Sequence, residues 1–182
     1  MREIALHVMD IAENGITAGA NLIHIFIDED RRNNLLKVVV KDNGKGIPPE
    51  MLDKITDPFV TARTTRRVGL GLSLFEAASR RCEGEFHITS VLGKGTETAA
   101  TFRYDHIDRA PLGDMGSTVA LLIGGNPEID FIYTHIIDGK DFTLDTGELR
   151  QELSLSDPSV IFHLTQNIRN ALGELEKNCR AD

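Results

Sequence analysis

Apolar residues near the N-terminus recur at helical spacing: Ile4, Val8 and Ile11 predict an amphipathic helix over about 3–18. Two strand-like runs follow, LIHIFID (22–28) and LLKVVV (35–40), joined by the charged turn EDRRNN. The segment DNGKGIPPEML reads as a glycine-rich turn running into a short helix opened by Pro48-Pro49. Residues 55–68 show no clear period and read as a loop, after which a helix is expected from near Gly69 to about Cys82. EFHITSV (85–91) and TETAATFRY (96–104) form another pair of strands, expected to be antiparallel. Because the strands adjoin in pairs, the pattern predicts an α+β fold rather than strict β-α alternation.

The pattern changes after residue 106. His106 to Ser117 has little periodicity and contains one Pro and two Gly, so 107–116 reads as a linker between residues 1–106 and a small accessory domain over 117–182. In that second part TVALLIG reads as a strand, and FIYTHII and DFTL flank Asp138-Gly139, a preferred two-residue hairpin turn. A further short strand is expected in ELRQELSL. Ser156-Asp157-Pro158 caps a helix with an apolar stripe of Ile161, Leu164, Ile168, Leu172 and Leu175. The expected unit is a β-meander closed by one helix, with no visible chemistry. A packing or dimerisation role, including a homodimer, would suit it.

Charge sharpens the division. Residues 1–106 carry 15 acids and 14 bases, whereas 107–182 carry 13 acids and 6 bases. The whole chain of 182 residues has a net charge of 20 − 28 = −8, which disfavours non-specific binding to nucleic acid or an anionic membrane. Trp is absent and aromatics are 5%, so no platform for stacking bases is evident. No apolar run approaches the ~18 residues of a membrane span. The first residues mix Arg2, His7 and three acids with apolar positions, unlike a signal peptide. Cys82 and Cys179 stand far apart without metal-site spacing, and a cytoplasmic location is expected.

Four polar and glycine clusters carry candidate chemistry. His7, Asp10 and Asn14 share one stripe of the first helix, where a carboxylate and an amide oxygen suit a hydrated Mg²⁺ and an activated water. Taken alone, the stripe fits a solvated helix face as well. Asp42-Asn43-Gly44-Lys45-Gly46 follows a strand, and Ile47-Pro48-Pro49 does not resume an alternating one, which argues against a simple hairpin turn. A carboxylate at that strand end, followed by glycines, suits a flat ligand with an exocyclic amine. Arg67-Val68-Gly69-Leu70-Gly71-Leu72-Ser73 opens a helix, whose free N–H groups favour phosphate oxygens, and Arg63, Arg66 and Arg67 add positive charge beside it. Gly93-Lys94-Gly95-Thr96 alone reads as a turn, since it lacks the spacing of a P-loop.

Together and in this order, the clusters resemble the boxes of the GHKL superfamily, the gyrase, heat-shock chaperone, histidine kinase and mismatch-repair ATPases. The matching segments are DIAENGITAGA (10–20), DNGKGI (42–47), DPFVTART (57–64), GLGLS (69–73) and GKGT (93–96), and the resemblance covers about 1–104. It implies a Bergerat-type α/β sandwich with a mixed, largely antiparallel sheet, binding ATP and Mg²⁺. Asn14 then corresponds to the Mg²⁺ ligand, and Asp42 to a buried carboxylate accepting from the adenine amine. Gly44 and Gly46 would shape that pocket, Gly69 and Gly71 would face the phosphates, and Thr96 would lie near adenine. Phe59, Thr61, Arg63, Arg67, Leu70 and Leu72 fall at further nucleotide-binding positions of the matching boxes. Arg67 stands where the family has a glycine, which places a guanidinium either beside the phosphates or in solvent. The hydrolysing branches carry a Glu where this chain has Asp10, one methylene shorter, which implies slow general-base catalysis with His7 available to orient the carboxylate.

The F-box and G2 wording most resembles histidine kinases. Thirteen residues precede Asn14, which leaves no room there for the phosphoacceptor helix pair of sensor kinases. Transfer of the γ-phosphoryl group to a separate protein partner is therefore expected. The alternative is a slow ATPase, or a binding-only nucleotide switch, that regulates a partner through the 57–68 lid.

Overall fold

The structure is a computed structural model describing residues 2–55 and 70–180. The elements, in chain order, are α1 (Ile4–Thr17), β1 (Leu22–Asp30), β2 (Leu35–Asp42), α2 (Pro49–Ile55), α3 (Leu70–Arg81), β3 (Phe86–Val91) and β4 (Gly95–Arg103). They continue with α4 (Met115–Gly125), β5 (Asp130–Ile137), β6 (Lys140–Asp145), α5 (Thr146–Leu149) and α6 (Pro158–Arg180). The strands form one six-stranded sheet in the order β3-β4-β2-β1-β5-β6. Among the described residues only the β1–β5 pair is parallel, so the sheet is mixed and largely antiparallel, as the family resemblance implies.

Strand alternation explains which face is covered. On β1, Ile23, Ile25 and Ile27 are fully buried, and their cross-strand neighbours Val40, Val38, Tyr133 and Phe131 are buried with them. The helices supply the matching apolar stripe, Ile4, Val8 and Ile11 on α1 and Phe75 on α3. Phe75 packs in tilted and edge contacts on Phe102 and Phe86, locking α3 to the β3–β4 end of the sheet.

Two expectations for the second half are corrected. TVALLIG is not a strand; it lies within α4, which is buried nearly all round, although the Leu121 side chain is exposed. A short, continuous apolar run fits a buried helix as well as a buried strand. The deciding features lie outside the run. Asp114 caps the helix by accepting from the Ser117 N–H at 3.0 Å, and Arg169 of α6 pairs with the same carboxylate. The second correction concerns ELRQELSL, which forms the end of α5 and a turn instead of a strand.

The Asp138-Gly139 hairpin does join β5 and β6, with both residues at positive φ as a type I′ turn requires. This hairpin extends the sheet of the first half, so the region expected as a separate β-meander shares one core with it. The expected linker also has a structural job. Pro111 and Leu112 accept the first free N–H groups of α1, from Ile4 and Ala5, at 3.0 and 2.8 Å.

A buried polar network crosses the junction. Glu29 of β1 accepts from His135 Nε2 at 2.8 Å and from the Tyr104 hydroxyl at 2.9 Å, while His135 Nδ1 lies 2.6 Å from the Tyr133 hydroxyl. Burial pushes the Glu29 carboxyl up, but the His135 and Tyr104 hydrogen bonds and the Arg31 charge outweigh it and hold it below its usual value. Its contribution to stability is therefore present above the unfolded carboxyl value of about 4.3 and is lost as pH falls through the lower folded value. His135→Ala should cost about 3–5 kcal/mol in urea unfolding at neutral pH, because it strands a buried charge. The stability gap between the wild type and Glu29→Gln should close on acidification; a gap unchanged at pH 3 would show that the carboxylate charge is not what stabilises.

Candidate functional site

One cross-strand row builds the floor of the site. Ser90 on β3 pairs with Thr96 on β4, Thr96 with Asp42 on β2, Asp42 with Ile23 on β1, and Ile23 with Phe131 on β5. The row is apolar at its β5 end and polar at its β3 end. Over the polar end lies a cavity of about 150 Å³, lined by Asn14, Asp42, Gly46, Leu72, Thr96 and Thr98, among others.

The roof is α1. A Cβ on Gly15 would stand 2.8 Å from the Asp42 Cβ, so only glycine lets the helix pass this close to the strand end. Gly44 is packed against Ala18, and its N–H donates to Asp42 Oδ1 at 2.8 Å. Gly46 and Gly95 adopt φ of +68° and +107°, and a Cβ on Gly95 would lie 1.9 Å from the Asp42 carbonyl oxygen. Backbone bonds then lace the loops together: the Lys45 N–H donates to Ala18 O at 3.0 Å and the Gly93 N–H to Lys45 O at 2.7 Å. Asn43 serves the scaffold, its Oδ1 accepting from the Asn21 and Leu22 amides at 3.0 and 3.1 Å.

The candidate residues sort clearly. Asn14, Asp42, Gly46, Leu72 and Thr96 line one cavity, and Gly44 packs against two of its lining residues, Ala18 and Asp42. Asp42 is half-buried rather than buried, because its carboxylate faces the cavity. Asp10 lies against Gly71 at the start of α3, its Oδ2 3.2 Å from where a Gly71 Cβ would be, and burial raises its carboxyl above the usual range. His7 does not orient it. The imidazole is turned into the core, stacked on Phe75 at 5.0 Å, and burial lowers its pKa to about 4, so it stays neutral. Its Nδ1 has no partner among the described residues. The candidates Phe59, Thr61, Arg63, Arg67 and Gly69 lie outside the described residues, as does the side chain of Leu70.

Sequence reasoning missed Gly15, Ser90 and Thr98. An isolated glycine inside a helical pattern does signal close approach of another backbone, so Gly15 was within reach. Ser90 and Thr98 carry no local signal and become part of the site only through strand register. Among the described residues no group of three or more His, Cys, Asp or Glu is arranged for a metal ion, and no helix is long and apolar enough to cross a membrane.

A sheet covered on one face by helices, with a strand-end carboxylate framed by glycine loops, defines a GHKL-type ATP-binding fold. Residues 2–106 match the family of histidine kinase-, DNA gyrase B- and HSP90-like ATPases, and the chain belongs to that family. Membership implies ATP binding. Similar proteins include sporulation kinase D of Bacillus subtilis, 36% identical over 97 residues that make up 52% of this chain and 18% of that kinase. A Halalkalibacterium halodurans protein named "Probable C4-dicarboxylate sensor kinase" is 38% identical over 74 residues, 41% of this chain and 14% of that protein. The chain thus spans less than a fifth of these relatives. The fold also resembles the ATPase domain of Aquifex aeolicus MutL, solved with ADP, at a TM-score of 0.56 and 17% identity over 92% of this chain and 70% of that one.

Helix propensity makes Gly15→Ala a sharp test of the roof. In an unobstructed helix interior the change would stabilise by about 1 kcal/mol. Here the contact with Asp42 should reverse the sign, costing roughly 1–3 kcal/mol in urea unfolding. A stabilised variant would mean that α1 does not press on the strand end.

Proposed function

We propose that the chain is a histidine-kinase-like catalytic module that binds Mg·ATP and passes the γ-phosphoryl group to a separate protein. The observation that carries this reading is the convergence of Asp42, Thr96 and the Gly44–Gly46 loop on one cavity, beside the Asp10–Gly71 contact at the start of α3. Asp42 accepts only, and one of its oxygens already takes the Gly44 N–H, so the other suits an exocyclic amine such as that of adenine. The glycines leave room for a flat base against backbone. Gly71, with Gly69, would face the phosphates. Asn14 is the described side-chain oxygen suited to Mg²⁺, which when bound would neutralise phosphate charge. Asn14 is uncharged, so the ion would be held mainly by the phosphates.

The position of Asp10 supports a second reading, slow hydrolysis. Its carboxylate is partly desolvated and stands beside the α3 glycine, where it could serve as a weak base towards water. Single-turnover reactions with γ-labelled ATP separate the two readings. Label on an added protein acceptor supports transfer, and label released as phosphate supports hydrolysis. If hydrolysis occurs, Asp10→Glu should raise its rate and Asp10→Asn lower it, with ATP affinity nearly unchanged.

The base pocket has its own test. Asp42→Asn should remove about 1.5–3 kcal/mol of binding, roughly 10- to 150-fold, and equally for ATP and ADP. Titration calorimetry showing wild-type affinity in this variant would reject Asp42 as the base-binding carboxylate.

A further inference from the structure

Ser90 lies one strand beyond the cavity, yet its hydroxyl is the hub of the pocket's polar floor. It accepts from the Ile47 N–H at 2.8 Å, reaches the Gly95 carbonyl at 2.9 Å and lies 2.9 Å from Thr96 Oγ1. A serine hydroxyl has one hydrogen and two lone pairs. The Ile47 amide takes one lone pair. The Gly95 carbonyl is acceptor-only, so the contact with it needs the Ser90 hydrogen. The remaining lone pair can then only receive the hydrogen of Thr96, and all three capacities of Ser90 are filled.

We propose that Ser90 is a specificity-determining positioning residue: by claiming the Thr96 hydroxyl hydrogen, it makes Thr96 face the cavity as an acceptor only. The inference rests on the adenine-nucleotide reading above and adds to it the control of a neighbouring hydroxyl. Asp42 and Thr96 are direct cross-strand partners and both line the cavity. With both presenting acceptors, a ligand edge carrying an amine finds partners, directly or through a water. An edge carrying a carbonyl at the same place meets lone pairs facing lone pairs. Buried polar groups left unpaired in this way are what give a binding site strong discrimination. Without Ser90, the Thr96 hydrogen is free to turn into the cavity and donate to a carbonyl.

The test is calorimetric titration of the full chain with ADP and with inosine diphosphate, which carries a carbonyl where adenine carries its amine. The wild type should bind ADP more tightly. Ser90→Ala should narrow the ADP-to-inosine-diphosphate affinity ratio about tenfold, because the inosine nucleotide gains a donor. Ser90→Cys keeps the shape with a weak donor and acceptor and should fall between, and it serves as the reading if the alanine variant does not fold. A purely structural role would weaken both nucleotides together and leave the ratio unchanged. An unchanged ratio in the folded variants, or equal affinities in the wild type, overturns the role of Ser90. Wild-type protein that binds neither nucleotide overturns the adenine reading and this inference with it.

Discussion

Helix α1 must cross the end of β2 at contact distance, and the missing side chain of Gly15 is what allows it. That approach has consequences in both directions along the helix. It brings Asn14 over the cavity and, one turn earlier, sets Asp10 against Gly71 of α3. It also requires the N-terminal turn of α1 to be held firmly, and the carbonyls of Pro111 and Leu112 do this by accepting its free amides. The segment after the family-matching region therefore helps hold the helix that roofs the site.

The same dependence appears in the sheet. β5 pairs in parallel with β1, so β1, which lies beside the Asp42 strand β2, is an interior member of the six-stranded sheet rather than its edge. A buried carboxylate, Glu29, sits at that seam with its oxygens taken by His135 and Tyr104. Burying such a group is unfavourable unless every partner is present, so the network penalises any arrangement in which the second half undocks or shifts register. Arg31 adds to it, pairing with Glu176 of α6 and lying over the Tyr104 ring.

Much of this was readable from the residues, for a physical reason. Period-2 alternation in 22–28 and 35–40, the helical stripe of α1 and the positive-φ demand of Asp138-Gly139 are local, and local preference agrees with the final fold at each. Asp42, Gly44 and Gly46 stand out locally because glycines directly follow a strand-end carboxylate, whereas Thr96 sits in a segment that alone reads as a turn and is reached only through the family resemblance. The misreadings share the opposite property. The TVALLIG run is apolar on every side, and its helical state depends on the Asp114 cap and on Arg169, 55 residues away. His7 shares a helical stripe with Asp10 and Asn14, yet the nearby Phe75 ring draws it into the core. Ser90 reaches the site only through pairing with β4, information that no local window contains.

The central claim is that the row from Ser90 through Thr96 to Asp42, roofed by α1, is where the nucleotide base sits. The most direct measurement follows the backbone amide resonances of the labelled chain as Mg·ADP is added. The account predicts saturable shifts centred on Gly44, Lys45, Gly46 and Thr96, with Gly71 responding as the phosphates arrive. Shifts centred instead on the acidic hollow formed by Asp28, Asp30, Asp138 and Asp141, on the opposite side of the sheet from α1, would contradict it.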